Sequence, residues 1–383
     1  MYASIRPFSM AGIYLHIPFC KSRCIYCGFF STTFLSLRDE YVRAVCRELE
    51  VRRDYLHGDP IKTIYFGGGT PSLLSFQQIS TLLDTVYNIY NVHAREITLE
   101  CNPDDANESL SQLRALGINR LSMGLQTFDD KRLRFLHRRH TARQAIEAVT
   151  QAKAAGFDNI SIDLMFGFPG QTLEQWKADV ERAIALDVQH LSAYSLMYEE
   201  ETALDKLRAA GTIAEIDEEV SLAMYEYLME AMKRAGFEHY EISNFARPGK
   251  RSMHNSSYWK GIPYLGVGAG AHSFDGQTRQ ANPDSLATYL QGAEKGHFPA
   301  ETEILSRSEQ YDEFVFTALR TCEGMNLETL KNTYGTLFSD YCLQNAKKHL
   351  QQGRLLLENG QMRLSKKGLF VSNDIMSDLM WVD

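Results

Sequence analysis

The sequence predicts an α/β fold: a partial (βα)6 TIM-like barrel of parallel strands, followed by a small C-terminal winged-helix-like α+β domain. Three observations predict it. Short apolar runs alternate with helical stretches six times between residues 12 and 196. Glycine and polar clusters follow several of these runs, where strands would end. Past about residue 300 the rhythm stops, and three helical stretches precede one hairpin pattern. Strand and helix signals in alternation imply a parallel sheet with helices outside it. An open doubly wound sheet is the competing arrangement. Both place ligands at the carboxyl ends of the strands.

The first run, GIYLHI (12–17), is short and apolar, and RDEYVRAVCRELEVRRDYL (38–56) has helical spacing. KTIYF (62–66) leads into glycines and a helix beginning near Ser75. EITLE (96–100) precedes the helical NESLSQLRALG (107–117). RLSMG (120–124) precedes TARQAIEAVTQAKAAG (141–156), which a glycine closes. NISIDLMFG (159–167) precedes TLEQWKADVERAIALD (172–187), and HLSAYSL (190–196) is the sixth run. One further helix covers 217–236. In the last part, SEQYDEFVFTALRT, NLETLKNTYG and SDYCLQNAKKHLQQG read as helices. RLLLENGQMRLSKKG reads as a hairpin turning at Asn359-Gly360. The expected units are a disordered extension (1–11), the barrel (12–236), a glycine- and aromatic-rich covering segment (237–299) and the small domain (300–383).

Forty Lys and Arg against 48 Asp and Glu give a net charge of −8. Nucleic-acid phosphates need a clustered basic surface, so no nucleic-acid partner is expected. No apolar run approaches the roughly 20 residues of a membrane span. The N-terminal MYASIRPFSMAG lacks the apolar centre of a signal peptide. A cytoplasmic location with reduced thiols is therefore expected. Seven cysteines, an odd count, also argue against a full disulfide framework.

HIPFCKSRCIYCGFF places Cys20, Cys24 and Cys27 within eight residues, directly after the first strand and beside Lys21 and Arg23. A lone cysteine is usually a small buried apolar group. Three so close suggest a metal centre, because thiolates are the usual protein ligands of iron–sulfur clusters. Three ligands on a four-iron cube leave one iron open to a further ligand. Zinc usually takes a fourth Cys or His, and His16 lies four residues upstream in the strand pattern. Cys46, Cys101, Cys322 and Cys342 read as packing residues.

Other strand ends carry polar groups. GGGTP follows the second strand; such glycines form a tight turn or let the backbone approach a ligand. Glu100 ends the third strand, where a solvated carboxylate is the ordinary reading. Asp163 lies within an apolar run and must find a partner, because burying it alone is costly.

The pattern Cys20-x3-Cys24-x2-Cys27, with aromatic Tyr26 before the last cysteine, resembles the radical S-adenosylmethionine (SAM) superfamily. The resemblance implies a [4Fe–4S] cluster held by those three thiols, with SAM on the open iron. One electron from the reduced cluster would cleave the sulfonium and give a 5′-deoxyadenosyl radical. It further implies that Tyr14, Gly68, Gly69, Thr70, Glu100, Gln126, Arg138 and Asp163 contact SAM.

IYLHIPFC, GGGTP, RLSMGLQTFDD and DLMFGFPGQT together resemble the branch containing oxygen-independent coproporphyrinogen III oxidase, over roughly residues 12 to 275. The oxidase pattern has a fourth Cys two residues past the third. Here that residue is Phe29. A Cys-Gly-Phe ending is typical of the HemW family of haem chaperones in the same branch. HNSSYW (254–259) also matches that family's His-Asn-x-x-Tyr-Trp motif. The likeness implies haem as a bound group, with His254 toward its iron and Tyr258 and Trp259 against its face. His272, in GVGAGAHSF, is expected to close over the site. Haem-accepting respiratory proteins and a reduced flavodoxin or ferredoxin-type electron donor are the implied partners. The alternative is oxidative decarboxylation of coproporphyrinogen III to protoporphyrinogen IX.

Overall fold

The computed structural model describes residues 10–106 and 109–382. The expected disordered extension therefore lies almost wholly outside the described residues. Its end differs from expectation, since the first strand already includes Ala11, which is buried.

Six strands and their helices follow in order: β1 (Ala11–Ile17), α1 (Arg38–Val51), β2 (Ile61–Gly68), α2 (Phe76–Ile89), β3 (Val92–Cys101), α3 (Ser109–Ala115), β4 (Arg120–Gln126), α4 (Asp130–Phe135), α5 (Ala142–Ala154), β5 (Ile160–Phe166), α6 (Leu173–Ala185) and β6 (His190–Ser195). Each strand pairs in parallel with the next. Crossovers of one hand between sequential neighbours keep all helices on one face. The sheet therefore curls as a barrel wall, without the order reversal of a doubly wound sheet.

Side chains alternate across each strand. Ile13, Leu15, Ile64, Leu99, Ile162 and Leu191 face the helices and join one large apolar core. The other face carries Tyr14, Tyr65, Glu100, Arg120, Asp163 and Ser192, a polar interior. Three of the barrel helices start on a reciprocal cap, with Ser75, Thr141 and Thr172 paired to Gln78, Gln144 and Gln175. These caps account for the sharp agreement between expected and observed starts.

The next segment contains α7 (Ala203–Ala209), α8 (Glu218–Arg234), β7 (Glu238–Glu241), β8 (Asn244–Ala246), α9 (Met253–Trp259), β9 (Tyr264–Val267), β10 (His272–Phe274), β11 (Thr278–Ala281), α10 (Leu286–Lys295) and β12 (Glu301–Ile304). Much of it extends the sheet. β8 pairs antiparallel with β6, and β9 pairs in parallel with β1. The result is a 12-stranded sheet ordered β12-β11-β10-β9-β1-β2-β3-β4-β5-β6-β8-β7.

The C-terminal domain has α11 (Arg307–Leu319), β13 (Met325–Asn326), α12 (Leu327–Tyr334), α13 (Thr336–Gln351), β14 (Leu355–Glu358), β15 (Gln361–Leu364), α14 (Lys366–Leu369) and α15 (Ser372–Leu379). Asn359 and Gly360 have φ of 50° and 76°, the left-handed pair that a two-residue hairpin turn requires. β13 completes a three-stranded sheet. The domain has its own core around Tyr311, Val315, Leu330, Cys342, Met362 and Ile375. Cys101 and Cys342 are buried as packing residues, whereas Cys322 is exposed. It faces an Arg251 N–H at 3.6 Å instead of packing. No helix among the described residues is long and apolar enough to cross a membrane.

Candidate functional site

The three clustered thiols lie on the loop after β1, at the carboxyl end of the barrel. Backbone bonds pin this loop at both ends and at its tip. Cys20 N–H donates to Thr32 O (2.9 Å), and Thr32 N–H donates to Pro18 O (2.7 Å). Ile25 N–H donates to Leu136 O (3.3 Å), and Ile25 O accepts from Leu204 N–H (2.9 Å). Cys27 N–H turns back to Cys24 O at 3.3 Å. All three thiols are half-buried. Burial is the main cause that pushes the Cys20 and Cys27 thiols up, with the Thr70 hydroxyl opposing it at Cys20.

Gly69 lies against this loop. A Cβ there would stand 2.8 Å from Pro18 C, 2.9 Å from Phe19 O and 3.0 Å from Cys20 Sγ. Gly68 holds φ at 111°, and a Cβ there would meet the His16 ring at 2.6 Å. These glycines are close-approach positions, which resolves the choice the sequence left open. No three His, Cys, Asp or Glu among the described residues converge on one metal ion. A four-iron cube spaces its thiolates farther apart than one ion does. Half-buried thiols on a pinned loop, with backbone and cation alongside, fit a thiolate-held cluster.

Arg138 links the thiol loop to the strand ends. Its guanidinium donates to Cys24 Sγ (3.7 Å), Asn102 Oδ1 (2.7 Å) and Gly124 O (2.7 Å). Asn102 Nδ2 in turn donates to the Thr70 hydroxyl at 3.1 Å. Tyr26, half-buried beside Arg138 and Cys24, has its hydroxyl pushed up chiefly by burial. The structure thus joins Cys20, Cys24, Tyr26, Thr70 and Arg138 through one residue the sequence reading missed. The only signal for Asn102 was its place directly after a strand and before Pro103.

Glu100 accepts from Tyr65 Oη (2.8 Å) and from Gly68 N–H (3.1 Å). Burial pushes its carboxyl up to about 7, with the Asp163 charge adding to that and the two bonds opposing it. Burial likewise pushes Asp163 up to about 6, against the Ser192 hydroxyl and the Arg120 and Arg138 charges. Both side chains keep partial solvent access at the mouth. Arg120, buried beneath them, is the nearby cation, and its Nε has no partner among the described residues. Two carboxylates sharing one space repel each other unless a cationic or hydroxyl-bearing ligand enters. SAM carries a sulfonium, an ammonium and ribose hydroxyls, so the pair fits it.

Gln126 sits at a register shift with φ of 67°, left-handed for a residue with a side chain. Tyr14 is one layer lower. Its hydroxyl meets His16 Nδ1 at 3.1 Å, and His16 Nε2 meets Phe30 O at 3.1 Å. Above this pair, a Cβ on Gly270 would touch Phe30 at 3.3 Å. The glycine-rich turn after β9 therefore lies beside Phe30 of the cysteine loop.

His254 is placed elsewhere. It begins the short helix α9, where Glu96 accepts from the N–H groups of Met253 and His254, both at 2.9 Å. Its Nδ1 meets Thr63 Oγ1 and its Nε2 meets Tyr258 Oη, both at 2.8 Å. Thr63 precedes Gly68 by five residues, about 16 Å along a strand at roughly 3.3 Å each. The imidazole thus plugs the amino-terminal end of the barrel, fully buried, with both nitrogens engaged. In this conformation it offers no free nitrogen, so the expected approach to a haem iron requires Thr63 or Tyr258 to be displaced. Tyr258 and Trp259 instead line a crevice of about 1400 Å³ between the barrel and the C-terminal domain. Trp259 Nε1 is buried there without a partner among the described residues. Among the described bonds, those of the C-terminal domain run to the β7–β8 turn, Arg251, Arg279 of β11 and α8, not to the cysteine loop.

Comparison with known proteins agrees with this geometry. The Radical SAM superfamily pattern matches residues 14–183, and the HemN C-terminal domain pattern matches residues 305–371. The chain is 36% identical to the heme chaperone HemW of Bacillus subtilis, covering 96% of this chain and 98% of that one. It is 34% identical to the heme chaperone HemW of Lactococcus lactis, covering 97% of each. It is also 34% identical to the mitochondrial radical S-adenosyl methionine domain-containing protein 1 of Bos taurus, over 97% of this chain and 87% of that one. Among solved structures, coproporphyrinogen III oxidase (HemN) from Escherichia coli shares the fold, with a TM-score of 0.84, 24% identity and coverage of 97% and 90%. With near-full-length identity of this order, the chain belongs to the radical SAM superfamily and, within it, to the HemW family.

Proposed function

We propose that the chain is a haem chaperone that binds haem and passes it to haem proteins. In this reading its barrel mouth holds a [4Fe–4S] cluster and SAM. The observation that carries the proposal is the near-full-length likeness to HemW proteins. Phe29, 68% exposed where the oxidase pattern has a cysteine, supports it.

Cys20, Cys24 and Cys27 would hold the cluster, and Gly69 leaves room for the loop. Asn102 and Arg138 fix the loop against the strand ends. Gly68, Thr70, Glu100, Gln126 and Asp163 would receive SAM, with Tyr14 supporting them from below. When bound, the cluster supplies one-electron reduction of the sulfonium, and the cofactor carries that chemistry. Tyr258 and Trp259 would take one face of haem in the crevice, with Lys260 and Arg279 of its lining near the propionates. His254 would act as the plug that sets those two rings. A flavodoxin or ferredoxin-type donor, respiratory acceptor proteins and a cytoplasmic location complete the reading.

The test is anaerobic reconstitution followed by parallel haem titration and coproporphyrinogen turnover. Stoichiometric haem binding without carbon dioxide release is expected. Replacing Trp259 by Ala should weaken haem binding and leave SAM binding unchanged. Release of carbon dioxide from coproporphyrinogen III would favour the oxidase reading instead. Unaltered haem affinity in the Trp259 variant would remove the crevice from it.

A further inference from the structure

The run KRLRFLHRRHTAR (131–143) holds six Lys or Arg, two His and no Asp or Glu, in a chain of net charge −8. It forms most of α4 and the loop beyond. Leu136 O accepts from Ile25 N–H of the cysteine loop, and Arg138 contacts Cys24. The run is therefore part of the rim around the thiols. Asp129 engages Arg132, and Asp104 faces Arg139 at 3.4 Å. Lys131, Arg134 and Arg23 are exposed and have no ion-pair partner among the described residues.

Two more features shape this rim. Phe29 and Phe34 are each 68% exposed on the cysteine loop and the turn after it. On the far side lies Glu199, which a Cβ on Gly28 would meet at 3.5 Å, with exposed Glu200 and Glu201 beside it. The rim is thus positive on the α4 side, apolar along the loop and negative on the β6 side. Apolar contact area edged with charge is the anatomy of a protein interface. A fixed charge asymmetry orients an incoming partner and speeds its encounter.

We propose that this rim is the landing face for an acidic one-electron donor protein, with Lys131 and Arg134 as its electrostatic guide. The inference rests on the reading that the three thiols hold a reducible cluster. In the transfer, the donor's reduced flavin is oxidised by one electron and the iron–sulfur group is reduced by one; no covalent bond changes.

The probe is flavodoxin, an acidic flavoprotein, titrated into the full-length protein with and without reconstituted cluster. Lys131→Glu and Arg134→Glu together should weaken binding by about tenfold or more at low salt. That gap should close in high salt, where charges are screened within about 3 Å at 1 M. Reduction of the reconstituted variant by dithionite should match the parent, while reduction by flavodoxin slows. Equal flavodoxin affinity in variant and parent would overturn the proposal. So would a loss of binding to phosphatidylserine vesicles with flavodoxin binding intact, which would assign the patch to a membrane. If dithionite fails to reduce the parent, the cluster reading fails, while the binding titration still judges the landing face.

Discussion

Replacing Glu48 by Gln should destabilise the barrel by about 3 kcal/mol, although Glu48 touches none of the site residues. This carboxylate is fully buried on α1. One oxygen accepts from Gly268 N–H (2.8 Å) and Tyr289 Oη (2.6 Å). The other accepts from Arg52 (3.1 Å) and Asn282 Nδ2 (2.8 Å). Arg52 continues to Gly266 O at 3.1 Å and to Gln280 Oε1 at 2.6 Å. One acidic side chain thus ties the turn after β9 to α1. Glutamine keeps one oxygen and turns an amide N–H₂ toward two donors. It loses a charge-assisted bond, about 1.5–3 kcal/mol, and leaves a buried donor unmet, about 1–3 kcal/mol. Asn282 can offset part of this by flipping its amide, since its Oδ1 is buried without a partner among the described residues. Its Nδ2 would then leave Gly268 O, now accepting at 2.9 Å. The assay is urea unfolding followed on the barrel transition, because the C-terminal domain has a separate core. A loss below about 1 kcal/mol would show that the carboxylate is not the tie described.

Two further outcomes follow from the mouth. Gly69→Ala puts a Cβ within 3.0 Å of Cys20 Sγ and closer still to the Pro18 and Phe19 backbone. Iron and sulfide content after anaerobic reconstitution should fall severalfold, with folding retained by circular dichroism; full content would show that the loop can shift. Glu100 is raised from an ordinary 4.5 to about 7, so the native state binds the extra proton between those values. Stability of the unliganded protein should therefore decline as pH climbs from about 4.5 through 7, and Glu100→Gln should flatten that decline. Denaturation at pH 5 and pH 8 checks it, and an unchanged pH slope in the variant would count against Glu100 as the source.

The barrel strands were readable because their outward residues are uninterrupted apolar positions, as in Ile13, Leu15 and Ile17. The thiol trio stands out as a local pattern, whereas Glu100 and Arg138 have ordinary surface readings and are named only by the family resemblance. What escaped depends on distant pairing. β9 finds β1 some 250 residues back in the chain, and nothing in TYR-LEU-GLY-VAL alone announces that edge. α9 has seven residues, too few for a helical period to show. The position of His254 is fixed by Thr63, 191 residues away, and by Glu96, 158 residues away. A motif suggested a ligand, while tertiary contacts made a plug. Asn102 was missed for the same reason: its partners Thr70 and Arg138 are 32 and 36 residues away.

The two cores meet beside the crevice, joined by the Glu241–Thr321 bridge, the Arg279–Glu313 and Lys366–Glu230 pairs and Arg320. Arg320 stacks on Trp259 from one side and on Phe316 from the other, at 4.7 Å and 5.5 Å. Whatever fills that gap behaves as mortar between two separately built blocks. Its binding free energy adds to the stability of the folded state, growing as ligand exceeds its dissociation constant. A loaded molecule and an empty one would then differ in stability as well as in content.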